Sequence, residues 1–417
     1  MKRNYRIMII LMALLLTGGV SAAMAQDEEK PDLDEIYRQL DEAIEKSPQY
    51  VALRQEQINK QRKSFYEASD PERKLMIAEE LFALFKPFKN DSALHYARVC
   101  IDLANSIQRY DLAGRYSSLM ARQCSNASMY VESLGLLKQV DKSVLDRQGL
   151  TDYYDAWMHV CGEIGAYSLI PEVRNSYYAM QDHYRDSVLA VADQGSDEYL
   201  HLKMSALVAR KNFQEALKVS DRWLNKVREG SHAEAYAAFY RHIVYANLGN
   251  EEMVHYWLAK SALDDIKCAV MDQASLITLA ELLNNDGDLD RSYEYIRFTW
   301  YCNNYFNTRL RSSQIAPVLS VIESNYANVS DRNIQILIVS VIVFCIMALC
   351  LFFMYRYVFR QKKLLVQAQQ ELAKANTELK NTNHKLQWMN DRVMKHNKEL
   401  FEINDDLRKE RDALKNQ

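Results

Sequence analysis

Apolar residues in this chain follow three successive rhythms. Over 26–333 they recur at helical spacing, as in Leu75, Ile77, Ala78, Leu81, Phe82 and Phe85, and no long stretch alternates with period two. From Ile334 to Tyr355 they become continuous, a run of 22 residues whose clearly polar members are Gln335 and Ser340. From 362 to 415 they contract to one row with a period of seven. The first rhythm predicts a succession of amphipathic helices. The second predicts one membrane-crossing helix, since about 20 apolar residues span the roughly 30 Å hydrocarbon core. The third predicts a coiled coil. The fold class expected is all-α.

Within 26–333 the helices are punctuated by short polar or Gly/Pro clusters: Lys86-Pro87, Gln194-Gly195-Ser196, Glu229-Gly230-Ser231, Leu248-Gly249-Asn250 and Asp286-Gly287-Asp288. Pro71 and Pro171 suit first helical turns, where a missing N–H costs little. A repeat of 38 residues is visible in Lys211-Asn212-Phe213, Gly249-Asn250-Glu251 and Gly287-Asp288-Leu289. Apolar helices precede these turns, over Leu202 to Ala209, Ala237 to Leu248 and Leu276 to Leu283. Others follow, over Ala216 to Val227, Val254 to Ile266 and Ser292 to Tyr301. Gly accepts the left-handed conformation that ends a helix, so each unit reads as an antiparallel hairpin. Ala216, Val254 and Ser292 stand at equivalent positions and let the paired helices approach closely.

The segment Ala206-Leu207-Val208-Ala209-Arg210-Lys211-Asn212-Phe213-Gln214-Glu215-Ala216-Leu217 resembles the turn and second-helix start of a tetratricopeptide repeat. The period departs from that family's roughly 34 residues, and Lys211 stands where Gly is usual. The resemblance implies an α-solenoid, whose concave face commonly binds extended peptides or proteins. Upstream, 32–192 is helical with no readable repeat phase. Tyr236, Tyr240 and Tyr245 share one predicted helix and are the candidate partner-binding residues, since Tyr offers a rigid contact surface with a hydrogen-bonding tip. Packing between helices is the plainer use of such rings.

The termini and flanks set an orientation. Lys2, Arg3 and Arg6 precede an apolar run from Ile7 to Leu16, and Ala23-Met24-Ala25 follows; together these read as a secretory signal over 1–25. Arg356, Arg360, Lys362 and Lys363 follow the apolar span, whereas Asp331 and Arg332 cancel before it, and the positive side stays in the cytoplasm. The expected arrangement is a signal peptide over 1–25, an exported solenoid over 26–333, a transmembrane helix over 334–355 and a cytoplasmic coil over 356–417. This describes a single-pass inner-membrane protein with a periplasmic N-terminal region. A net charge of −3 gives no field for nucleic acid. Five exported cysteines, Cys100, Cys124, Cys161, Cys268 and Cys302, have no paired spacing and read as small buried hydrophobes.

In the coil, Leu365, Leu372, Leu379, Leu386, Val393, Leu400, Leu407 and Leu414 are spaced by seven, and Asn376, Asn383, Asn390, Asn397 and Asn404 stand four residues after successive members. With Leu at d and Asn at a, the seam is a parallel homodimer whose buried Asn fixes register at some cost in stability. A second frame places Leu at a and Ala368, Ala375, Met389 and Ile403 at d, with His396 and Glu410 awkward there. His396-Asn397-Lys398-Glu399-Leu400 is faintly like a histidine-kinase phosphoacceptor box, but no Gly follows Gly287, so no Gly-rich phosphate loop can lie downstream in this sequence. No nucleophile box or metal-ligand spacing stands out, and neither an enzyme nor a cofactor is expected.

The segment Arg309-Leu310-Arg311-Ser312-Ser313-Gln314-Ile315-Ala316-Pro317-Val318-Leu319, with the helix to Tyr326, the span and the Asn/Leu coil, resembles an uncharacterised Bacteroidetes family of regulator-like proteins. The resemblance implies an exported tetratricopeptide-like region, one membrane span and a cytoplasmic coiled coil, and is closest over about 300–390. The expected function is that of a receptor-like regulator: the exported repeats bind a protein or peptide and the dimeric coil relays to a cytosolic partner. The alternative is a membrane-tethered scaffold for envelope proteins that does not signal.

Overall fold

The computed structural model describes residues 31–415; the expected signal sequence lies outside them. Among the described residues there are fourteen α-helices, one 3-10 turn (Lys142–Val144) and no strand. In chain order the helices are α1 (Leu33–Glu67), α2 (Pro71–Phe85), α3 (Asn90–Ser106), α4 (Tyr110–Asn126), α5 (Tyr130–Gln139), α6 (Arg147–Tyr167) and α7 (Pro171–Val191). They continue as α8 (Asp197–Ala209), α9 (Phe213–Leu224), α10 (His232–Leu248), α11 (Glu251–Lys267), α12 (Ala274–Asp286), α13 (Leu289–Phe306) and α14 (Arg309–Lys415). The chain divides into two compact units between Asn328 and Val329.

Local chemistry explains why the helices start and stop where they do. Asp70 caps α2 and Pro71 opens it, while Ser196 and Ser231 cap α8 and α10 through their hydroxyls. The 38-residue repeat is a repeat of turns. Lys211, Gly249 and Gly287 all adopt positive φ, at 57°, 73° and 90°. The next residue in each turn, Asn212, Asn250 or Asp288, caps the following helix with its side-chain oxygen. Asn212 N–H bonds to Leu207 O and Asn250 N–H to Tyr245 O, closing the preceding helix with a six-to-one bond. Lys211 therefore does the conformational work of the glycine it replaces. Helix α9 ends at Leu224, one turn earlier than expected, with Lys226 turned to donate to Gly195 O.

The same turn occurs upstream, where the sequence shows no phase. Gln108 and Ser128 both sit at φ 60°, and Arg109 N–H and Met129 N–H close α3 and α4 on Ala104 O and Cys124 O. Five residues past each left-handed position stands a buried residue of small or modest size: Ala113, Ser133, Ala216, Val254 and Ser292. Ser133 and Ser292 also donate to the neighbouring helix, at Ala121 O and Ala280 O, each at 2.8 Å.

Packing within the first unit forms several separate cores. Residues of α4–α7 gather around Trp157, and those of α8–α10 around Trp223. Between these two lies a small patch of Val188, Ala192 and Leu202. Helix α1 joins the two ends of the repeat array. Its Ile58 packs with α2–α4, and its Ile36, Tyr37, Leu40 and Ala43 pack with α11–α13. Asp41 accepts from Tyr295 Oη at 2.6 Å and from Arg291 Nε at 3.2 Å, and Tyr37 Oη lies 2.6 Å from His255 Nδ1. Met271 N–H donates to Pro87 O at 2.8 Å, and Phe88 packs on Tyr305. The last hairpins thus contact the first, and the repeat unit closes on itself. The beginning of α14 belongs to this unit: Ile315 and Ile322 are buried with α12 and α13, and Tyr326 stacks on Tyr293 at 4.3 Å.

The second unit is helix alone. Residues from Ile334 to Tyr355 lie inside α14, the one helix among the described residues long and apolar enough to cross a membrane, with a mean hydropathy of 3.2 over its most apolar window. Its large apolar side chains are exposed in the single chain. Cys100, Cys124, Cys161 and Cys302 are free and buried in the repeat unit, and Cys268 is free and half-buried.

Candidate functional site

Helices α4 and α6 meet through charged side chains and α8 and α10 through aromatic ones, and these, with the end of α2, make up the candidate face. From α4, Arg122 pairs with Asp155 of α6, and Arg115 Nε donates to Asp152 of α6 at 2.6 Å. His159 of α6 lies 3.1 Å from Asn126 of α4. Lys86 ends α2 with an exposed side chain, yet feels the charges of Arg122, Asp155, Asp152 and Glu198 from three other helices. His232 opens α10 and pairs with Asp265 of α11, Nδ1 to Oδ1 at 2.7 Å. Its side chain remains 51% exposed while Asp265 is buried behind it.

An aromatic cluster continues this face. His201 of α8 contacts the rings of Tyr236 and Tyr240, with centroids 5.7 and 5.0 Å apart. The fully buried Trp223 of α9 backs both tyrosines and donates Nε1–H to Asp197 at 2.7 Å. Tyr236 and Tyr240 are half-buried and their hydroxyls are 3.4 Å apart. The fold brings these two together because residues four apart share a helix face. Tyr245, five further on, turns to the opposite side. It is 5% exposed, and Arg241 Nη2 lies 3.3 Å from its hydroxyl.

The electrostatics follow from this placement. Burial works against the charge of Arg122, and the Asp155 carboxylate beside it more than offsets that cost. Burial likewise opposes ionisation of Asp155, and Arg122, His201 and His159 overcome it and lower its pKa. Burial lowers the pKa of His201 despite Asp155, so the ring is neutral at pH 7. Tyr236 and Tyr240 are raised, chiefly by burial, and remain phenols. The protein surrounding Lys86, then Arg122, lowers its pKa. At His232 burial opposes the charge and Asp265 more than restores it. Among the described residues no group of three or more His, Cys, Asp or Glu is arranged to hold a metal ion. What the face offers is hydrogen-bonding and ring-stacking capacity for a ligand of mixed polarity.

The coil candidates lie on the second unit. Leu372, Asn376, Leu379, Asn383, Leu386, Asn390, Val393, Asn397, Leu400, Asn404 and Leu407 all stand on α14 with exposed side chains. Asn376, Leu379, Lys380, Asn383, His384 and Gln387 together line a shallow surface depression of about 210 Å³. The sequence did not single out Lys86, Arg122, Asp155 or His201 as a group, and only the stacking of the repeats unites them. The break at Lys86-Pro87 was the one local signal near any of them.

Comparison with known proteins supplies a family for this architecture. The model of the SusR N-terminal TPR domain matches residues 44–317, about two thirds of the chain and nearly all of the repeat unit. No curated protein matches the chain.

Proposed function

Since this chain belongs to the SusR N-terminal TPR domain family, a family of helical-repeat interaction domains, we propose that it is a single-pass membrane receptor of the regulatory kind. Residues 26–333 lie outside the inner membrane, and their inner face binds a protein or peptide. Residues 334–355 cross the bilayer. A parallel dimer over 365–414 passes the bound state to a cytosolic partner. The protein performs no chemistry of its own in this scheme and needs no cofactor.

The observation that supports the reading is the pair of linked clusters on this face: Arg122 of α4 pairs with Asp155 of α6, and His201 of α8 contacts Tyr236 and Tyr240 of α10. Repeat arrays bind through this face because each hairpin adds side chains to one continuous surface. Ion pairs and phenol pairs there are satisfied without a ligand, so the face need not collapse when empty. The coil supports the relay through its Asn row, which favours a specific register over maximal stability.

The test is disulfide cross-linking in membranes. Single cysteines at Leu386, Asn390, Val393 and Asn397, with Lys395 as outward control, are oxidised in the full chain and in a chain lacking 32–306. A relay predicts strong seam bands, a weak Lys395 band and a changed seam pattern after the deletion. An identical pattern in both chains would leave a passive tether, and absence of seam bands would remove the self-dimer.

A further inference from the structure

We propose that the coil of α14 carries two alternative seams for a second copy of this chain, which share the Leu row and differ by a small rotation of each helix. The inference rests on reading 365–414 as a parallel dimer. It names the change that such a dimer relays.

The two faces are set by the rows beside the leucines. With seven residues in two turns, positions four after each Leu lie about 50° to one side of the row, and positions three after it lie about 50° to the other. The first row holds Asn376, Asn383, Asn390, Asn397 and Asn404. The second holds Ala368, Ala375, Met389 and Ile403, interrupted by Thr382, His396 and Glu410. All of them stand on one helix, unbroken from Arg309 to Lys415, and are exposed in the single chain.

A second copy is the occupant that fits this surface. The partner must repeat every seven residues over about 75 Å, as another α14 does. The depression on the Asn side has the matching shape. Of the residues lining it, Asn376, Leu379, Lys380 and Asn383 stand at i, i+3, i+4 and i+7, the four-residue hole into which a facing helix inserts a knob. With Asn at a, these are positions a, d, e and a. The knob they receive in a parallel, in-register pair is Leu379 of the second copy.

The other side supplies what the Asn side lacks. Turning each helix by about 50° moves the asparagines to the flank and brings Met389 and Ile403 into the seam with the leucines. The row that then borders the seam includes Glu378, Lys385, Arg392 and Glu399, the charged kind of residue a dimeric coil places there. In the Asn seam the bordering positions hold Met389, Met394, Phe401 and Ile403 instead, large apolar groups left partly in water. The turn has its own cost, because it buries His396 and Glu410. Each seam therefore buries polar groups that the other releases, and the two compete. The helix that must turn begins inside the repeat unit, where Ile315 and Ile322 are buried and Tyr326 stacks on Tyr293. Repacking at that end would rotate the helix about its axis, and an unbroken helix carries such a rotation.

The experiment is disulfide cross-linking of the full-length chain in membranes, with the exposed Cys345 and Cys350 changed to Ala. Asn390→Cys reports the Asn seam and its neighbour Met389→Cys the second seam. Leu386→Cys lies in both seams and Lys395→Cys in neither. Dimer bands from both reporters are expected in the parent chain. Asn383→Val with Asn397→Val should raise the ratio of the 390 band to the 389 band about tenfold, and His396→Leu with Glu410→Leu should lower it about tenfold, as removing buried polar groups from one seam implies. A ratio that neither pair of substitutions moves, or a reporter band missing from every variant, overturns the two-seam inference. If the Leu386→Cys band is strong in that case, the dimer stands with a single seam. Absence of the Leu386→Cys band removes the dimer itself, so failure of the second seam and failure of the relay are separable.

Discussion

The two units of this protein are built from the same secondary structure and solve opposite problems. In the repeat unit, apolar residues find their cover inside the chain: Leu40, Leu81, Leu258, Leu276 and Leu279 are fully buried, and the turns that make this possible recur at Gln108, Ser128, Lys211, Gly249 and Gly287. In the second unit the large apolar residues, from Ile334 through Leu414, are exposed. A helix satisfies its own backbone, so length alone holds α14 together, but its side chains are specified for an environment the chain does not contain. For Ile334 to Tyr355 that environment suits lipid, and for the seven-residue row it suits another helix. The difference separates residues that cover one another within one copy from residues that one copy leaves uncovered.

The sharpest way to break this contrast is a pair of matched truncations. Leu279→Ala, at a fully buried position of α12, should cost the repeat unit about 2–5 kcal/mol in denaturant unfolding. Leu379→Ala, on the exposed stripe of α14, should leave that transition within about 0.5 kcal/mol of the parent and reduce dimer cross-linking instead. Equal effects of the two on the unfolding midpoint would mean that the coil row is buried against the repeats. The second contrast is with lipid. Met347→Lys, near the middle of the apolar run, should lower membrane insertion by about 3 kcal/mol, read as glycosylation-reporter or protease-protection fractions, with no change in the fold of the repeat unit. Insertion unaffected by the lysine would remove the membrane assignment for this run.

How much of this was readable beforehand differs between the units for a physical reason. Short-range patterns were legible: the 38-residue turn repeat, the apolar run and the seven-residue row each depend on residues near one another in sequence. Even so, the upstream turns were missed, because Gln108 and Ser128 adopt the left-handed conformation without Gly, and their successors Arg109 and Met129 make no side-chain cap. The return of α1 onto α11–α13 had no local sign, since Asp41 and Tyr295 are separated by 254 residues. The inner face was illegible for the same reason. Of the three tyrosines singled out on one helix, Tyr236 and Tyr240 stand four apart and their rings meet, while Tyr245 falls beyond that face and lies in the core.

A third way to sharpen the comparison is pH, because the repeat unit buries carboxylates. Asp264 of α11 is 1% exposed and shares Lys260 with Glu234, and burial pushes its pKa up to about 7 against the pull of Lys260. Asp265 is also raised by burial. Between about pH 4 and pH 7 the folded state keeps a proton on Asp264 that the unfolded state has released, so this group's contribution falls as pH rises through that window. Glu234 works the other way: burial opposes its charge, but Gly230 N–H and Lys260 hold its pKa low, so its contribution is lost on acidification. Asp264 and Glu234 therefore pull the pH dependence of the repeat unit in opposite directions. Asp264→Asn should flatten the decline between pH 5 and pH 7.5, a difference on the order of 1–3 kcal/mol. An unchanged slope in urea melts across that range would mean that Asp264 ionises freely in the fold.

The smallest effect concerns the turn that departs from its repeat. Lys211 holds φ 57° with a β-carbon in place, whereas Gly249 and Gly287 hold the equivalent positions at no steric cost. Lys211→Gly relieves that crowding but enlarges the freedom of the unfolded chain, and the two terms oppose. The left-handed penalty, about 1–2 kcal/mol, exceeds the entropic one of about 0.4–1 kcal/mol, so the substitution should stabilise the repeat unit by several tenths of a kcal/mol. Gly249→Ala runs both terms in reverse and should destabilise by a similar amount, since no neighbouring atom lies within 4 Å of the added carbon. The two changes measured in one denaturant series test whether the turns are energetically equivalent. A destabilising Lys211→Gly would show that the Lys211 side chain contributes to the fold in a way its backbone conformation does not explain.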